Sequence, residues 1–437
     1  MDNKLPLTIF WFRRDLRLDD NAGLYHALKS GNPVLPIFIF DKEILDKLED
    51  KDDARVTFIY KAIENINKEL KNHGCSLLVL YDKAEQAWVK LLRDYEITGV
   101  YTNHDYEPYA KKRDDEVTQL LNKHSIEFKT FKDQVIFDRD EVLKNDGRPY
   151  TVYTPYMRKW SERLTLFYLK AYPTKKYFKN LFKTDGFKMP SLKDIGFEKS
   201  AMNFPAAHYE DVITDYAEKR DFPGVNGTSH IGLHLRFGTV GIRDLVGTAN
   251  SYKEKTWLNE LIWREFYMMI LDHFPHTIDH AFRPEYDNIK WINNEVQFKA
   301  WCEGQTGFPL VDAGIRELNA TGYMHNRVRM VVASFLTKDL LIDWRWGERY
   351  FARKLLDYEL ASNVGGWQWS AGSGTDAAPY FRIFNPDSQL RKFDPQFVYI
   401  KKWVPEYADF SKYPKPIVDH AFARERCLKA FKAALVR

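Results

Sequence analysis

Five short apolar runs, at 7–12, 34–40, 77–81, 100–103 and 127–131, alternate with amphipathic stretches, and this alternation narrows what the N-terminal part can fold into more than any other feature. A helical pattern such as 55–72 (RVTFIYKAIENINKELKN) carries its apolar residues at spacings of three and four. A helix between two apolar strands returns the chain in parallel, so the rhythm predicts an α/β domain with a doubly wound parallel sheet. No G-x-G-x-x-G follows the first run, which excludes the dinucleotide fingerprint of a Rossmann dehydrogenase. The chain reads Arg13-Arg14-Asp15-Leu16-Arg17-Leu18-Asp19-Asp20-Asn21 there instead. Such a run binds an anion or forms a network of ion pairs buried at a domain junction, and we expect the network.

From 150 to 204 the pattern weakens and turns basic and aromatic (MRKW, YLKAYPTKKYFKNLFK), punctuated by Pro155, Pro173 and Pro190. That composition reads as a surface connector. Beyond it, long amphipathic patterns dominate and strand signals are scarce, so the C-terminal part should be almost wholly α-helical. The expected division is an α/β domain over 1–131, an interdomain connector over 132–208 and a large helical domain over 209–437, in line with the two to three domains that 437 residues imply.

The net charge of +4 conceals an asymmetry, because residues 1–150 sum to −4 and residues 151–437 to +8. A basic C-terminal part fits a polyanion such as DNA without requiring one. No apolar run approaches the ~20 residues of a membrane span, and MDNKLPLTIF lacks the basic-then-apolar plan of a signal peptide. The expectation is a cytoplasmic monomer with no membrane partner. Cys75, Cys302 and Cys427 lie far apart without CxxC or Cys/His zinc spacing, so they are expected as reduced thiols and no metal site is expected.

Four of the 12 tryptophans, Trp344, Trp346, Trp367 and Trp369, stand between 343 and 386 among carboxylates, an Asn and several glycines. Gly365-Gly366 lets the backbone approach something flat or bulky, and helical spacing aims Glu359 and Asn363 to one side, with Asp357 just before them. An aromatic helical core with solvated acids would produce the same string. Three other places carry a similar double reading. Gly227-Thr228-Ser229-His230 precedes a helical pattern and is either an anion site or an ordinary Ser/Thr N-cap. In WLNELIWREFY, Asn259, Trp263 and Phe266 share one side of a helix beside Glu260, Arg264 and Tyr267. There a Glu and a Trp can grip a base, or Glu260 and Arg264 can form a surface pair. His325-Asn326-Arg327-Val328-Arg329-Met330 heads an apolar helix, with polar groups at its start and Met330 facing a pocket floor.

Taken in order, WFRRDLRLDDN, WLNELIWREFY, TGFPLVDAGIRELNATGYMHNRVRM, SFLTKDLLIDW and GGWQWSAGSGTDAAPYFRIFNP resemble the photolyase/cryptochrome family, and within it the class I cyclobutane pyrimidine dimer photolyases. The resemblance covers nearly the whole chain and is densest from 257 to 386. It implies FAD, folded on itself, in the helical domain, held by Tyr216, Thr228, Ser229, His230, Ile231, Gly232, Trp257, Glu260, Arg264, Arg329, Asp357, Tyr358 and Glu359. Asn363 falls against flavin N5, where an amide can donate or accept. Trp291, Trp344 and Trp367 fall on an electron-hopping series running from solvent to flavin, Trp367 innermost. Arg220, Glu260, Trp263, Asn326, Arg327, Met330, Trp369 and Gln389 fall on positions that meet DNA containing pyrimidine dimers, with Arg327 as a phosphate clamp. The implied activity is light-dependent splitting of the flipped-out dimer by an electron from excited reduced FAD.

Relatives with other activities differ at particular positions. Photolyases of the (6-4) type carry histidines where this chain has Asn326 and Met330; plant-type cryptochromes usually carry an acid where Asn363 stands; the DASH cryptochromes tend to lack the second indole, Trp369. A (6-4) photolyase and a cryptochrome-type blue-light photoreceptor are therefore the alternatives. This chain also departs from its own family. The usual Thr-Ser-x-Leu-Ser becomes Thr228-Ser229-His230-Ile231-Gly232, Glu359 stands for the commoner Asp, and Val364 replaces a frequent Asn. After Tyr106-Glu107 the chain reads Pro108-Tyr109-Ala110 where folate-binding members show an Asn-Glu pair. A second, antenna chromophore of the folate or the deazaflavin type, or none, is consistent with that change.

Overall fold

The five apolar runs become five strands in the computed structural model, which describes residues 5–409 and 411–435. They are β1 (Pro6–Phe12), β2 (Val34–Asp41), β3 (Leu78–Asp82), β4 (Glu96–Asn103) and β5 (Glu127–Phe131). All pair in parallel in the order β3-β2-β1-β4-β5, the doubly wound arrangement expected from the alternation. β4 starts earlier than its apolar run because a register shift between Leu7 and Thr8 lets its polar head pair with β1. The helix expected over 55–72 spans Ala54–Lys71, started by Asp53, whose side chain accepts from the Arg55 N–H. Leu7, Ile9, Trp11, Leu35 and Ile37 from β1 and β2 form one core with Trp88, which meets Trp11 edge to face at 5.5 Å.

The charged run after β1 is an ion-pair network. Arg13 pairs with Asp114, Arg14 with Asp105 (3.2 Å) and Glu107 (2.9 Å), and Arg17 with Asp133 (2.7 Å). Arg243, in helix Ile242–Ser251, completes it by reaching Asp133 (2.7 Å) and Asp20 (2.8 Å). Burial alone would raise the Asp133 carboxyl, but the Arg17 and Arg243 guanidiniums outweigh it and hold it below the usual carboxylate range.

Contacts divide the chain into two units, neither continuous in sequence. The first comprises residues up to 138, 164–207 and 231–251; the second comprises 139–163, 208–230 and the chain from 252 on. The stretch expected as a connector is therefore shared between them. Within it, helix Tyr153–Arg163 buries Tyr156 and Trp160, and Trp160 Nε1 donates to Glu265 Oε1 at 2.6 Å. Tyr153, Tyr156 and Trp160 make an apolar stripe at helical spacing that the intervening basic residues obscured.

The second unit contains no strand among the described residues. Its core gathers Trp301, Val332, Leu336, Trp344 and Trp367. Among the described residues no helix is long and apolar enough to cross a membrane, and no group of three or more His, Cys, Asp or Glu is placed to hold a metal. Cys75, Cys302 and Cys427 are all free thiols.

Candidate functional site

Four helices of the second unit, Thr256–His273, Asn326–Ser334, Trp344–Lys354 and Leu360–Ala371, line one pocket of about 1240 Å³, its open mouth included. Helical spacing selects which side chains enter. Glu260, Trp263, Arg264 and Tyr267 come from the first helix, and Asn326, Arg329, Met330 and Ala333 from the second. The turn before the last helix and the helix itself contribute Asp357, Tyr358, Glu359, Ser362, Asn363, Gly366, Trp367, Trp369 and Ser370.

Three arginine–carboxylate pairs set the electrostatics of the wall. Arg220 Nη1 meets Glu260 Oε1 at 2.5 Å, Arg264 Nε lies 3.3 Å from Glu359, and Arg329 Nη2 lies 2.8 Å from Asp357. Glu260 and Arg264, which their spacing allowed to pair with each other, thus each bind a different partner. Burial pushes the Glu260 carboxyl pKa up against the pull of Arg220, although 31 % of that side chain still faces the pocket. Asp357 Oδ1 is buried and has no hydrogen-bond partner among the described residues.

Asn363 is held from behind. Its Nδ2 donates to the backbone oxygen of Glu348 (3.1 Å) and to its Oε1 (2.9 Å), and burial pushes the Glu348 carboxyl up. Trp263 lies flat on Tyr153, with centroids 3.7 Å apart and planes 6° from parallel, so this part of the wall is rigid. Gly365 and Gly366 divide their tasks. A Cβ on Gly365 would stand 2.3 Å from the Tyr267 ring, whereas one on Gly366 would meet nothing within 4 Å because that position opens into the pocket.

The other expected residues lie outside this wall. Tyr216 packs under the Arg220 guanidinium, 5.4 Å from the ring centre. Thr228 Oγ1 lies 3.2 Å from Tyr323 Oη, and His230, with a left-handed φ of 50°, places its ring 4.1 Å from that of Tyr323. Trp257 stacks on Tyr209 and donates Nε1 to Ser229 Oγ (3.4 Å). Neither Thr228 nor Ser229 is an N-cap, since helix Gly232–Phe237 is preceded by Ile231 without any side-chain cap. Ile231 and Gly232 belong to the first unit, unlike Thr228, Ser229 and His230. Arg327 pairs with Asp221 (2.7 Å) and covers the Phe393 ring, and Gln389 is half-buried on helix Pro386–Phe393. Trp344 is buried in the core beside Trp367, which also lines the pocket, and Trp291 packs half-buried against that core.

Ser362, Ser370 and Phe351 also line the pocket without having been expected there. The two serines were legible as steps of four from Gly366. Glu348 was not, because nothing local ties it to an asparagine 15 residues later. In the first unit, Tyr109, beside the missing Asn-Glu pair, donates its hydroxyl to Asp41 at the carboxyl end of β2 (2.6 Å), and the Arg113 guanidinium lies over Trp11 (4.8 Å).

A model of the FAD binding domain of DNA photolyase matches residues 257–412, and a model of DNA photolyase matches residues 8–176. The deoxyribodipyrimidine photo-lyase of Alkalihalophilus pseudofirmus is 36% identical over 482 residues, covering 99% of each chain. The crystal structure of a class III photolyase from Agrobacterium tumefaciens is similar with a TM-score of 0.87 at 32% identity, covering 99% of this chain and 98% of that one. That of a cryptochrome from Synechocystis sp. PCC6803 gives 0.85 at 25% identity, covering 98% and 100%.

Proposed function

The chain belongs to the photolyase/cryptochrome family, with that family's FAD-binding domain in its helical part, and from this premise we propose that it repairs cyclobutane pyrimidine dimers in DNA with light, as the class I enzymes do. The observation that carries the reading is that one pocket holds both sets of side chains the activity needs. Arg264, Arg329, Asp357, Glu359 and Asn363 lie in the same wall as Glu260, Trp263, Asn326, Met330 and Trp369.

The residues fit FAD. Arg264 and Arg329 bring positive charge for its phosphates, Asp357 keeps a buried oxygen for a ribose or ring donor, and Gly366 leaves open the space a side chain would fill. Bound FAD, once reduced and excited, supplies the electron that opens the cyclobutane ring and takes it back afterwards. The chain's own part is positioning. Trp263 and Trp369 offer aromatic surfaces to a flipped dimer, which stacks poorly in a duplex and is therefore cheap to extrude. Glu260, whose carboxyl burial raises, faces the pocket and can hydrogen-bond the dimer's polar edge, steadying charge that develops there. Arg220 orients that carboxyl, while Arg327 and Gln389 reach the backbone of the strand. Asn326 and Met330 supply no acid, which separates this site from one built for (6-4) photoproducts.

The test is illumination of purified, dithionite-reduced protein with an oligonucleotide carrying a cyclobutane thymine dimer. Recovery of thymine absorbance only in the light supports repair. Bound FAD without light-dependent recovery would overturn it in favour of a cryptochrome-type photoreceptor, the reading kept open by the likeness to the Synechocystis cryptochrome. Visible or near-ultraviolet bands beyond those of FAD would identify a folate-type or deazaflavin-type second chromophore.

A further inference from the structure

We propose that Asp221 stands in for a DNA phosphate at Arg327, holding that side chain while no strand is bound and reclaiming it when the repaired strand leaves. The inference rests on the reading of Arg327 as a contact to the strand backbone. Two neighbouring residues of opposite charge reach two helices of the pocket wall. Arg220 meets Glu260 on helix Thr256–His273 at 2.5 Å, and Asp221 meets Arg327 at the head of helix Asn326–Ser334 at 2.7 Å. Around the second pair stand a further cation and apolar rings. Arg327 covers the Phe393 ring at 4.4 Å, Lys392 Nζ lies 5.1 Å from the same ring, and the exposed Phe222 packs against it at 6.4 Å. A carboxylate placed there repels an arriving polyanion, so its presence calls for a role that offsets the repulsion.

The geometry leaves Arg327 one way to take a phosphate with two donors. Its Nε is buried without a hydrogen-bond partner among the described residues, so the phosphate has to use Nη1 and Nη2. Asp221 holds Nη2, and Nη1 rests 3.8 Å from Met330 Sδ, a weak acceptor that yields easily. A phosphate that takes both nitrogens must therefore displace the carboxylate. Asp221 is not needed to orient the guanidinium, because the Phe393 ring already fixes its plane. It is also the more exposed partner, with 38 % of its side chain open to solvent against 18 % for Arg327, so it lies on the side from which a strand approaches and has room to swing away. A pair this open to water is weak, and a phosphate supported by further contacts along the strand outcompetes it. Once the dimer is split and its bases return to the stack, that support is lost. The carboxylate, tethered beside Arg327 at high effective concentration, then takes the position back.

The experiment compares the full chain with bound FAD and its Asp221→Asn, Arg327→Ala and doubly substituted variants, in the dark, on a duplex carrying one cyclobutane thymine dimer. Asparagine keeps the shape of the side chain and removes its charge. Asp221→Asn should bind about 5-fold tighter at about 0.1 M salt, and log K should fall more steeply against log salt by about one, because Arg327 then meets the strand without an internal counter-ion. After a flash that repairs the duplex bound to reduced protein, the product should leave this variant about 5-fold more slowly than it leaves wild type. In the Arg327→Ala background the same substitution should gain less than about 2-fold, since only repulsion of the strand remains to be relieved. Weaker or unchanged binding by Asp221→Asn would mark a carboxylate that positions Arg327 or does nothing there, and equal gains in both backgrounds would mark general repulsion; either result overturns the proposal. If Arg327→Ala leaves binding unchanged in the Asp221→Asn background, the reading of Arg327 itself falls, an outcome visible apart from the behaviour of Asp221.

Discussion

Trp367 both lines the pocket and packs into the core behind it, so its replacement differs in kind from that of any other indole. Trp367→Phe should stop photoreduction of bound FAD, while chemically reduced protein continues to repair; flash absorption on one preparation and dimer reversal on the other check the two halves. Glu260→Ala should lower repair per bound flavin by roughly 10²-fold, the effect of losing one well-placed hydrogen-bonding group, and leave FAD content nearly unchanged. Repair and flavin absorbance measured on the same sample separate these, and parallel losses would point to a structural role. His325 is expected to govern acid stability. Burial holds its imidazole down to about 4 from an ordinary 6.5, so between those values the unfolded chain binds more protons than the folded one. Stability should therefore fall as pH falls through that window, by about 3 kcal/mol at most. His325→Asn keeps an acceptor for the Arg327 N–H and should flatten the loss in urea unfolding curves. Glu260, Trp263, Asn326 and Met330 were readable in advance because their helices could be read. Glu348 and Tyr153 act through tertiary contacts with no local pattern.

Among the elements, helix Leu360–Ala371 carries Asn363, Trp367 and Trp369 and ends on Gly372 in the left-handed conformation (φ 86°). Its two neighbouring glycines should respond oppositely to alanine. Gly365→Ala forces a methyl into Tyr267 and should cost roughly 1–3 kcal/mol of stability. Gly366→Ala should stabilise FAD-free protein by up to about 1 kcal/mol through helix propensity, yet lower FAD occupancy because its methyl enters the pocket. Thermal unfolding of each variant with and without FAD distinguishes them. The sheet was legible almost strand for strand, since doubly buried strands advertise themselves as apolar runs. Helix Tyr153–Arg163 was not, because its aromatic stripe is interleaved with Arg158, Lys159 and Arg163 and passed for a surface segment.

At the level of the whole molecule, what escaped the linear reading is that the units are assembled from interleaved pieces of chain. Boundaries drawn from composition follow sequence order, whereas Arg243 serves acids more than a hundred positions before it. Arg243→Met should accordingly destabilise the first unit by about 3–5 kcal/mol, the usual effect of stranding buried carboxylates, as measured by chemical denaturation. The same arrangement has a consequence for biosynthesis. While the ribosome is still translating, Asp20 and Asp133 emerge long before the cation that neutralises them. The α/β part cannot close until helix Ile242–Ser251 has cleared the exit tunnel, by which time much of the helical part's early sequence is already outside. A nascent chain halted just after Asp133 would present two acids shaped for burial and one arginine too few, so this half of the protein cannot be cut out at residue 138 and transplanted as a module.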